Sequence, residues 1–244
     1  MPMQCVDMTG KRILAFGAHP DDIEFGCGAV LLDAAEKGAS IDLLVLSKGE
    51  AGTHGNRSVR EKEALKAAEM MGAQVHLPST AGDTRLRSDV EITLMAAKTI
   101  RRCKPDIVLA PSVHLNQHPD HRETSIIARD ANRLARYGKT PGMEGLDPHA
   151  TRALLFFDIS SESPGGDGMT PFLVDVSGQV ERWKDLMACH ESQTGNLDYV
   201  DLQLSRARTL GIQSGVKYAV RLYSEGPLLW SSIAGVADAK VPRL

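Results

Sequence analysis

Short apolar runs and longer amphipathic segments alternate along the first half of the chain. Apolar runs of strand length occupy residues 12–16, 41–46, 74–77 and 106–110, and segments with helical spacing occupy residues 23–37, 58–72, 90–103 and 120–136. Gly38 is a stop signal for the first helix, and Ser58-Val59-Arg60-Glu61 predicts a capping box that starts the second. Strands that alternate with helices of this length indicate right-handed βαβ units. We therefore predict an α/β fold with a doubly wound, mostly parallel sheet and helices on both faces.

The second half of the chain continues this pattern less regularly. Residues 137–152 are rich in Gly, Pro and His and are typical of a surface loop. Further strands are predicted at 154–159, 172–176 and about 216–223, and helices at 180–191 and 199–213. The chain has no internal repeat and no clear linker. We therefore expect a single domain over residues 1–244, with the metal-site core over about 11–136 and an extension of the sheet with substrate-site elements over about 150–235.

Composition narrows the class of protein. Hydrophobic residues make up 42% of the 244 positions and charged residues 24%, which are ordinary values for a globular chain. A net charge of -3 gives no electrostatic reason to bind nucleic acid or an anionic membrane. No apolar run approaches the roughly 20 residues that span a bilayer, and the first ten residues lack a signal-peptide pattern. We expect a soluble, cytoplasmic protein whose four scattered cysteines are free thiols.

Polar residues concentrate in the loops that follow the four predicted strands. In an open parallel sheet these loops meet at one edge, where ligands bind. We therefore expect the four loops to form one site. The residues are His19, Asp21 and Asp22 in the first loop, Glu50 and His54 in the second, Asp83 in the third, and His114, Asn116, His118, Asp120 and His121 in the fourth.

A His-Pro-Asp element occurs twice, at His19-Pro20-Asp21 and at His118-Pro119-Asp120, each time between a predicted strand and a predicted helix. Each element also has an ordinary explanation. Asp21 and Asp120 both begin an Asp-x-x-Glu sequence, which is typical of a helix N-cap, and proline is common at a helix start. Repetition in the same structural context favours a functional site over two coincidental helix starts.

Imidazoles and carboxylates together are the ligands of a catalytic divalent metal, which takes about three protein ligands and a water. Of the adjacent Asp21 and Asp22, only one can readily face the ion, so we expect one ligand and one base. Two histidines and a carboxylate also describe non-haem iron oxygenases, whose ligands usually lie on strands of a β-barrel. A non-enzymatic alternative is a nucleotide-binding module, although Gly26-Cys27-Gly28 does not complete the glycine-rich motif.

The paired motifs Ala18-His19-Pro20-Asp21-Asp22 and His118-Pro119-Asp120-His121 resemble the LmbE-like/PIG-L family of zinc-dependent de-N-acetylases, which act on N-acetylglucosamine conjugates. The resemblance covers residues 11–136 and implies a Rossmann-like, LmbE-like fold. It also implies a Zn²⁺ site, or a site for another divalent ion such as Fe²⁺. By position, the implied ligands are His19, Asp22 and His121, the general base is Asp21, and His118 stabilises the oxyanion or protonates the amine, with Asp120 orienting its ring.

The same resemblance implies substrate contacts by Glu50, Arg60 and Asp83, although Arg60 could instead form a solvated ion pair with Glu61 and Glu63. The block at residues 188–193 resembles the bacillithiol-biosynthesis branch of the family, which acts on N-acetylglucosaminyl malate. A chitooligosaccharide is the alternative amino-sugar substrate. Many members have arginine where this chain has His54, and a late Tyr-Ala-Glu appears here as Tyr218-Ala219-Val220, so the aglycone stays open. The family also implies a homo-oligomer, often a hexamer.

Overall fold

The computed structural model describes residues 7–80, 82–112, 118–159, 168–195 and 198–229. The strands of these residues are β1 (Arg12–Gly17), β2 (Ser40–Val45), β3 (Gln74–His76), β4 (Ile107–Pro111), β5 (Ala153–Phe157), β6 (Thr170–Asp175) and β7 (Ala219–Ser224). The helices are α1 (Asp22–Glu36), α2 (Arg57–Met71), α3 (Val90–Cys103), α4 (Pro119–Leu134), α5 (Val180–Ala188), α6 (Glu191–Thr194) and α7 (Tyr199–Ser214).

The strands form one mixed sheet in the order β3-β2-β1-β4-β5-β7-β6. The five strands from β3 to β5 are parallel, and β7 runs antiparallel to both of its neighbours. This confirms the predicted α/β fold with a mostly parallel sheet. After β3 at one edge the chain returns to the other side of β1 to form β4, so the winding direction reverses between β1 and β4. Such a reversal opens a crevice at the carboxyl ends of the two strands.

Helices cover both faces of the sheet, and β1 shows how the sequence produces this. Ile13 and Ala15 belong to one apolar cluster, whereas Leu14 and Phe16 belong to the other. Successive side chains of a strand point to opposite faces, so an uninterrupted apolar run is buried on both sides. The first cluster packs beneath α1, α2 and α5, and the second beneath α3 and α4. Trp183 of α5 is buried in the first cluster, and its indole donates to Glu24 O at 2.8 Å.

The start of α2 differs from the predicted capping box. The N-cap is Asn56, whose side-chain oxygen accepts from the backbone N–H of Val59 at 3.1 Å. Asparagine is a strong N-cap in its own right, and it starts the helix before Ser58. The carboxylate of Glu61 is therefore free for another partner, and it pairs with Lys48 Nζ at 2.9 Å.

The predicted helix over 180–191 is divided into α5 and α6. Between the two helices His190 turns inward and is completely buried. The carboxylate of Glu63 accepts the backbone N–H and the hydroxyl of Ser192, both at 2.7 Å. An unpaired N–H at a helix start is thereby satisfied from α2, which stabilises the break.

Two expectations from composition concern membrane-spanning segments and the state of the cysteines. None of their helices has the length and apolar character that crossing a membrane requires. Cys27, Cys103 and Cys189 are free thiols. Cys5 lies outside the described residues.

Close packing of α1 against β5 makes Gly26 a sensitive position. A Cβ at Gly26 would overlap the buried ring of Phe157, whereas a Cβ at Gly178 would meet nothing within 4 Å. We expect Gly26→Ala to lower the free energy of unfolding by roughly 1–3 kcal/mol, the usual range for an overpacked core. Urea denaturation of both variants measures the difference. A Gly26→Ala protein as stable as Gly178→Ala would contradict the packing described.

Candidate metal centre and cavity

The carboxylate of Asp22 lies at the centre of the site. Its Oδ2 accepts the backbone N–H groups of Ala18 and His19 at 2.8 and 2.9 Å, which fix it at the end of β1. Its Oδ1 lies 3.0 Å from His121 Nε2, and its Oδ2 lies 3.6 Å from His19 Nδ1. All three side chains are buried. Two turns about 100 residues apart in sequence therefore meet around one carboxylate.

The histidines of the two turns form a tight group at the β1/β4 crevice. The ring centroid of His19 lies 5.3 Å from that of His121 and 4.5 Å from that of His118. His19 follows β1, whereas His121 lies in the first turn of α4, after β4. The reversal of winding between β1 and β4 is what brings these positions together. His114 and Asn116, also expected in the fourth loop, lie outside the described residues.

The donor set of His19, Asp22 and His121 fits a divalent metal ion. Their ligand atoms all lie within 4.8 Å of one another. Bonds of about 2.1 Å in a tetrahedral site separate ligand atoms by roughly 3.4 Å, which the observed separations of 3.0 and 3.6 Å bracket. Two imidazole nitrogens and one carboxylate leave a fourth position for water, as in catalytic zinc sites.

The electrostatics of the cluster also favour a cation. Burial alone would lower the pKa of His19, but the carboxylates of Asp22 and Asp120 raise it well above its usual value. Burial would raise the pKa of Asp22, yet His121 and His19 hold it well below its usual range. Buried carboxylates thus create a negative potential that requires positive charge nearby, which protons on the imidazoles or a metal ion can supply.

Asp21 faces the cavity in a strained backbone conformation. Its φ of 115° lies in the region that favours glycine, and its side chain makes no capping hydrogen bond to α1. The helix-cap explanation of Asp21 is therefore wrong. Burial raises the pKa of Asp21 to about 6, against the opposing charge of Arg60. Strain in a partly buried acid with a pKa near neutrality is typical of a functional residue.

Arg60 holds the first and second loops together. Only 4% of the residue is exposed. Its Nη1 donates to Gly49 O at 3.1 Å, and its Nη2 donates to Pro20 O at 2.6 Å and lies 3.1 Å from Asp21 Oδ2. The alternative of a solvated ion pair with neighbouring glutamates is wrong, because Arg60 reaches inward to the first loop. It also lines the cavity.

Asp83 and Glu50 connect the second and third loops reciprocally. Asp83 Oδ2 accepts the backbone N–H of Ala51 at 3.1 Å, and Glu50 Oε1 accepts that of Asp83 at 3.2 Å. Asp83 Oδ1 lies 3.0 Å from His19 Nε2. Burial would raise the pKa of Asp83, but His19 and the Ala51 N–H lower it to about 2. Glu50 does not line the cavity, so its position here is that of a loop connector.

His118 and Asp120 interact differently from the expectation. The Nδ1 atom of His118 accepts the backbone N–H of Asp120 at 3.2 Å and so caps α4. The carboxylate of Asp120 instead accepts Thr84 N–H at 2.7 Å and lies 3.4 Å from His19 Nε2. The backbone of Asp120, rather than its carboxylate, therefore orients His118. The N-cap explanation of Asp120 is also wrong, because His118 is the N-cap of α4 and the Asp120 carboxylate binds Thr84.

This arrangement fixes the tautomer of His118. Because Nδ1 accepts a hydrogen bond, the proton of the neutral ring lies on Nε2, which is 4.0 Å from Asp83 Oδ1. Burial and the neighbouring His19 lower the pKa of His118. His118 can therefore donate a hydrogen bond from Nε2 as a neutral ring.

A cavity of ≈ 420 Å³ opens over the cluster. One wall is polar and contains the metal-ligand group with Asp21, Arg60 and Asp83. The other wall is largely apolar. The sequence predicted substrate-site elements only broadly, over about 150–235, and none of the individual residues, because they carry no motif and come from distant segments. The apolar wall consists of Phe25 of α1, Ile159 after β5, and Tyr199 and Leu202 of α7. Gln193, in the block at 188–193, lies at the same cavity and donates to His54 O at 2.9 Å.

Comparisons with known proteins identify related sequences and a related fold. The family model described as GlcNAc-PI de-N-acetylase (PIG-L) matches residues 14–132, a range that contains every predicted site residue. Diacetylchitobiose deacetylase of Thermococcus kodakarensis is 28% identical over 228 residues, which are 88% of this chain and 82% of that protein. 4-Oxalmesaconate hydratase of Pseudomonas putida is 29% identical over 177 residues, 62% of this chain and 68% of that protein. A crystal structure of a conserved protein from Thermus thermophilus is similar with a TM-score of 0.80 and 32% identity, covering 89% of this chain and 96% of that one.

Removal of one ligand should empty the metal centre. We expect His121→Gln to bind one equivalent of Zn²⁺ fewer than the wild-type chain, because two ligands hold the ion far more weakly than three. His54→Gln is the matched control, since His54 is exposed and belongs to none of the described clusters. Elemental analysis after gel filtration gives the zinc content. A His121→Gln protein with the wild-type content would exclude His121 as a ligand.

Proposed function

The chain belongs to the PIG-L (LmbE-like) family of deacetylases, and on that premise we propose that it hydrolyses the acetamide of N-acetylglucosamine in an uncharged conjugate such as a chitooligosaccharide. Zn²⁺ is the proposed resident ion, held by His19, Asp22 and His121, with Fe²⁺ as the alternative. The observation that carries the proposal is the meeting of both His-Pro-Asp turns around the Asp22 carboxylate.

The reaction requires a base, a hydrogen-bond donor and a polarising ion. When bound, Zn²⁺ polarises water and the amide carbonyl and lowers the pKa of the water toward neutrality. Asp21 accepts the proton of the attacking water and returns it to the departing amine, a transfer for which a pKa of about 6 is well matched. His118 Nε2 donates a hydrogen bond to the negatively charged oxygen of the tetrahedral intermediate. This bond is weaker to the neutral carbonyl of the planar amide, so it lowers the barrier. Acetate and a free amine are the products.

The charge of the cavity supports an uncharged aglycone. The described lining residues include three carboxylates, Asp21, Asp22 and Asp83. Arg60 is the cation of this described lining, and its two terminal nitrogens already bind backbone carbonyls and Asp21. With Zn²⁺ bound, the two charges of the ion and that of Arg60 balance the three carboxylates, so the described lining has no surplus positive charge for an anionic aglycone. Tyr199 and Leu202 are instead suited to the apolar face of a second sugar ring.

This argument also ranks the two other candidate substrates. N-acetylglucosaminyl malate, the substrate of the bacillithiol branch, carries two carboxylates on its aglycone. The name of the hydratase relative, 4-oxalmesaconate hydratase, implies a substrate that is also a polycarboxylate. Both candidates would need surplus positive charge that the described lining lacks, so we place them below a neutral amino sugar. We also propose that the protein is cytoplasmic and forms the homohexamer that the family resemblance implies.

Asp21→Asn tests the base. The amide keeps the size of the side chain and an oxygen for Arg60 but cannot accept a proton. We expect kcat to fall by about 10²- to 10⁴-fold, the usual contribution of general acid–base catalysis, with the zinc content unchanged. Asp33→Asn is the control for removal of a carboxylate, because Asp33 lies in α1, is partly exposed and pairs with Lys37 away from the cavity. Near-normal kcat in a zinc-replete Asp21→Asn protein would remove Asp21 from this role.

A substrate panel tests the aglycone. We expect kcat/KM for N,N′-diacetylchitobiose to exceed that for N-acetylglucosaminyl malate by about tenfold or more, since one uncompensated charge in the cavity costs over about 1.4 kcal/mol. A fluorescent free-amine assay follows both substrates, and loss of ultraviolet absorbance follows hydration of 4-oxalmesaconate. Leu202→Lys supplies a cation at the cavity and should reduce the ratio of kcat/KM for N,N′-diacetylchitobiose to that for N-acetylglucosaminyl malate. Preference for the malate conjugate, or hydration without amine release, would overturn the proposed substrate class.

A further inference from the structure

Three metal-ligating side chains converge at the edge of the sheet, outside the catalytic cluster. Asp42 lies on β2, His76 is the last residue of β3, and Cys103 is the last residue of α3. Asp42 lies two residues before Leu44, which packs in the apolar cluster beneath α3 and α4, so both point to that face. The end of α3 thus covers the position where the two strands present a carboxylate and an imidazole.

The separations of the three ligand atoms are those of a metal site. His76 Nε2 lies 2.8 Å from Asp42 Oδ1 and 3.7 Å from Cys103 Sγ, and all three atoms lie within 4.8 Å of one another. Metal bonds of about 2.0–2.3 Å in a tetrahedral site separate such atoms by roughly 3.3–3.8 Å. Small side-chain rotations suffice to reach this range. The His76 side chain is 31% exposed, so an ion can enter and keep a water as fourth ligand.

The chemistry of the three side chains also balances the charge of an ion. A thiolate and a carboxylate neutralise a divalent cation, and the imidazole binds as a neutral ligand. Without a cation, burial and the adjacent Asp42 raise the pKa of Cys103 to about 12, so the thiol keeps its proton. The positive charges of Arg12 and Arg102 nearby favour the thiolate. Cys27 and Cys189 belong to no such group of ligands among the described residues.

We propose that Asp42, His76 and Cys103 form a second site for a thiophilic divalent ion such as Zn²⁺, which joins β2, β3 and the end of α3. β3 has only three residues and pairs with one neighbouring strand, so it is the least supported strand of the parallel part of the sheet. An ion bound to the folded chain and not to the unfolded chain stabilises the fold. This site is independent of the proposed function, because it shares no residue with the catalytic cluster.

Co²⁺ is the probe that distinguishes the two sites. A cobalt–thiolate bond gives an intense near-ultraviolet charge-transfer band, and the described catalytic ligands include no sulfur. In a His121→Gln background we expect one Co²⁺ per chain with this band. Adding Cys103→Ser should remove both the ion and the band, whereas adding Cys189→Ser should leave both. His76→Gln, which retains the thiol, should also lose the ion.

Three results would overturn the second site. One is a His121→Gln protein that binds no Co²⁺, in which case Asp42 and His76 form only a hydrogen-bonded pair beside a neutral thiol. Another is a band that survives Cys103→Ser, which would assign it to another cysteine. The last is a rise in Tm on adding Zn²⁺ that is no larger for the His121→Gln protein than for His121→Gln/Cys103→Ser. In an otherwise wild-type chain, Cys103→Ser should leave deacetylation unchanged.

Discussion

The placement of the buried Asp22 carboxylate is the constraint on which the rest of the site depends. Two backbone N–H groups at the end of β1 hold one of its oxygens, and an imidazole from α4 lies against the other. This arrangement is possible only where the sheet reverses its winding, because only there do the ends of β1 and β4 open onto one crevice. It also places Asp21 in the turn before α1, where its φ of 115° lies in the region that favours glycine.

Around this carboxylate, most of the charged groups bind one another. Asp83 and Asp120 approach His19 from the side opposite Asp22, which fixes the orientation of the imidazole and increases its basicity. Arg60 binds the backbone of the first and second loops as well as Asp21. The polar wall of the cavity is thus preorganised before any substrate arrives. Preorganised dipoles and charges are the usual origin of transition-state stabilisation in enzymes of this kind.

The sequence was sufficient to predict the alternation of strands and helices and the parallel sheet, because the central strands β1 and β4 are apolar runs separated by helical segments. Finer assignments failed where a competing partner was available. Asn56 replaced Ser58 as the cap of α2, and Asp120 bound Thr84 instead of orienting the ring of His118. Such choices depend on which loop lies nearby in space. The individual residues of the apolar wall were missed because Tyr199 and Leu202 lie some 180 residues from His19 and belong to no recognisable motif.

The cavity has a consequence for how this architecture diversifies. Its reactive wall comes from the first 121 residues, while much of the facing wall comes from α7 and the segment after β5. A side chain at Gly49 would strike the guanidinium of Arg60, so the early loops tolerate little variation. The cavity-lining side chains Tyr199 and Leu202 of α7 are exposed, so they can be replaced with less disturbance of the packing. Evolution can therefore retarget the molecule by altering its carboxyl-terminal third while the hydrolytic machinery is inherited intact, and chimeras exchanging that third are a natural route to new selectivity.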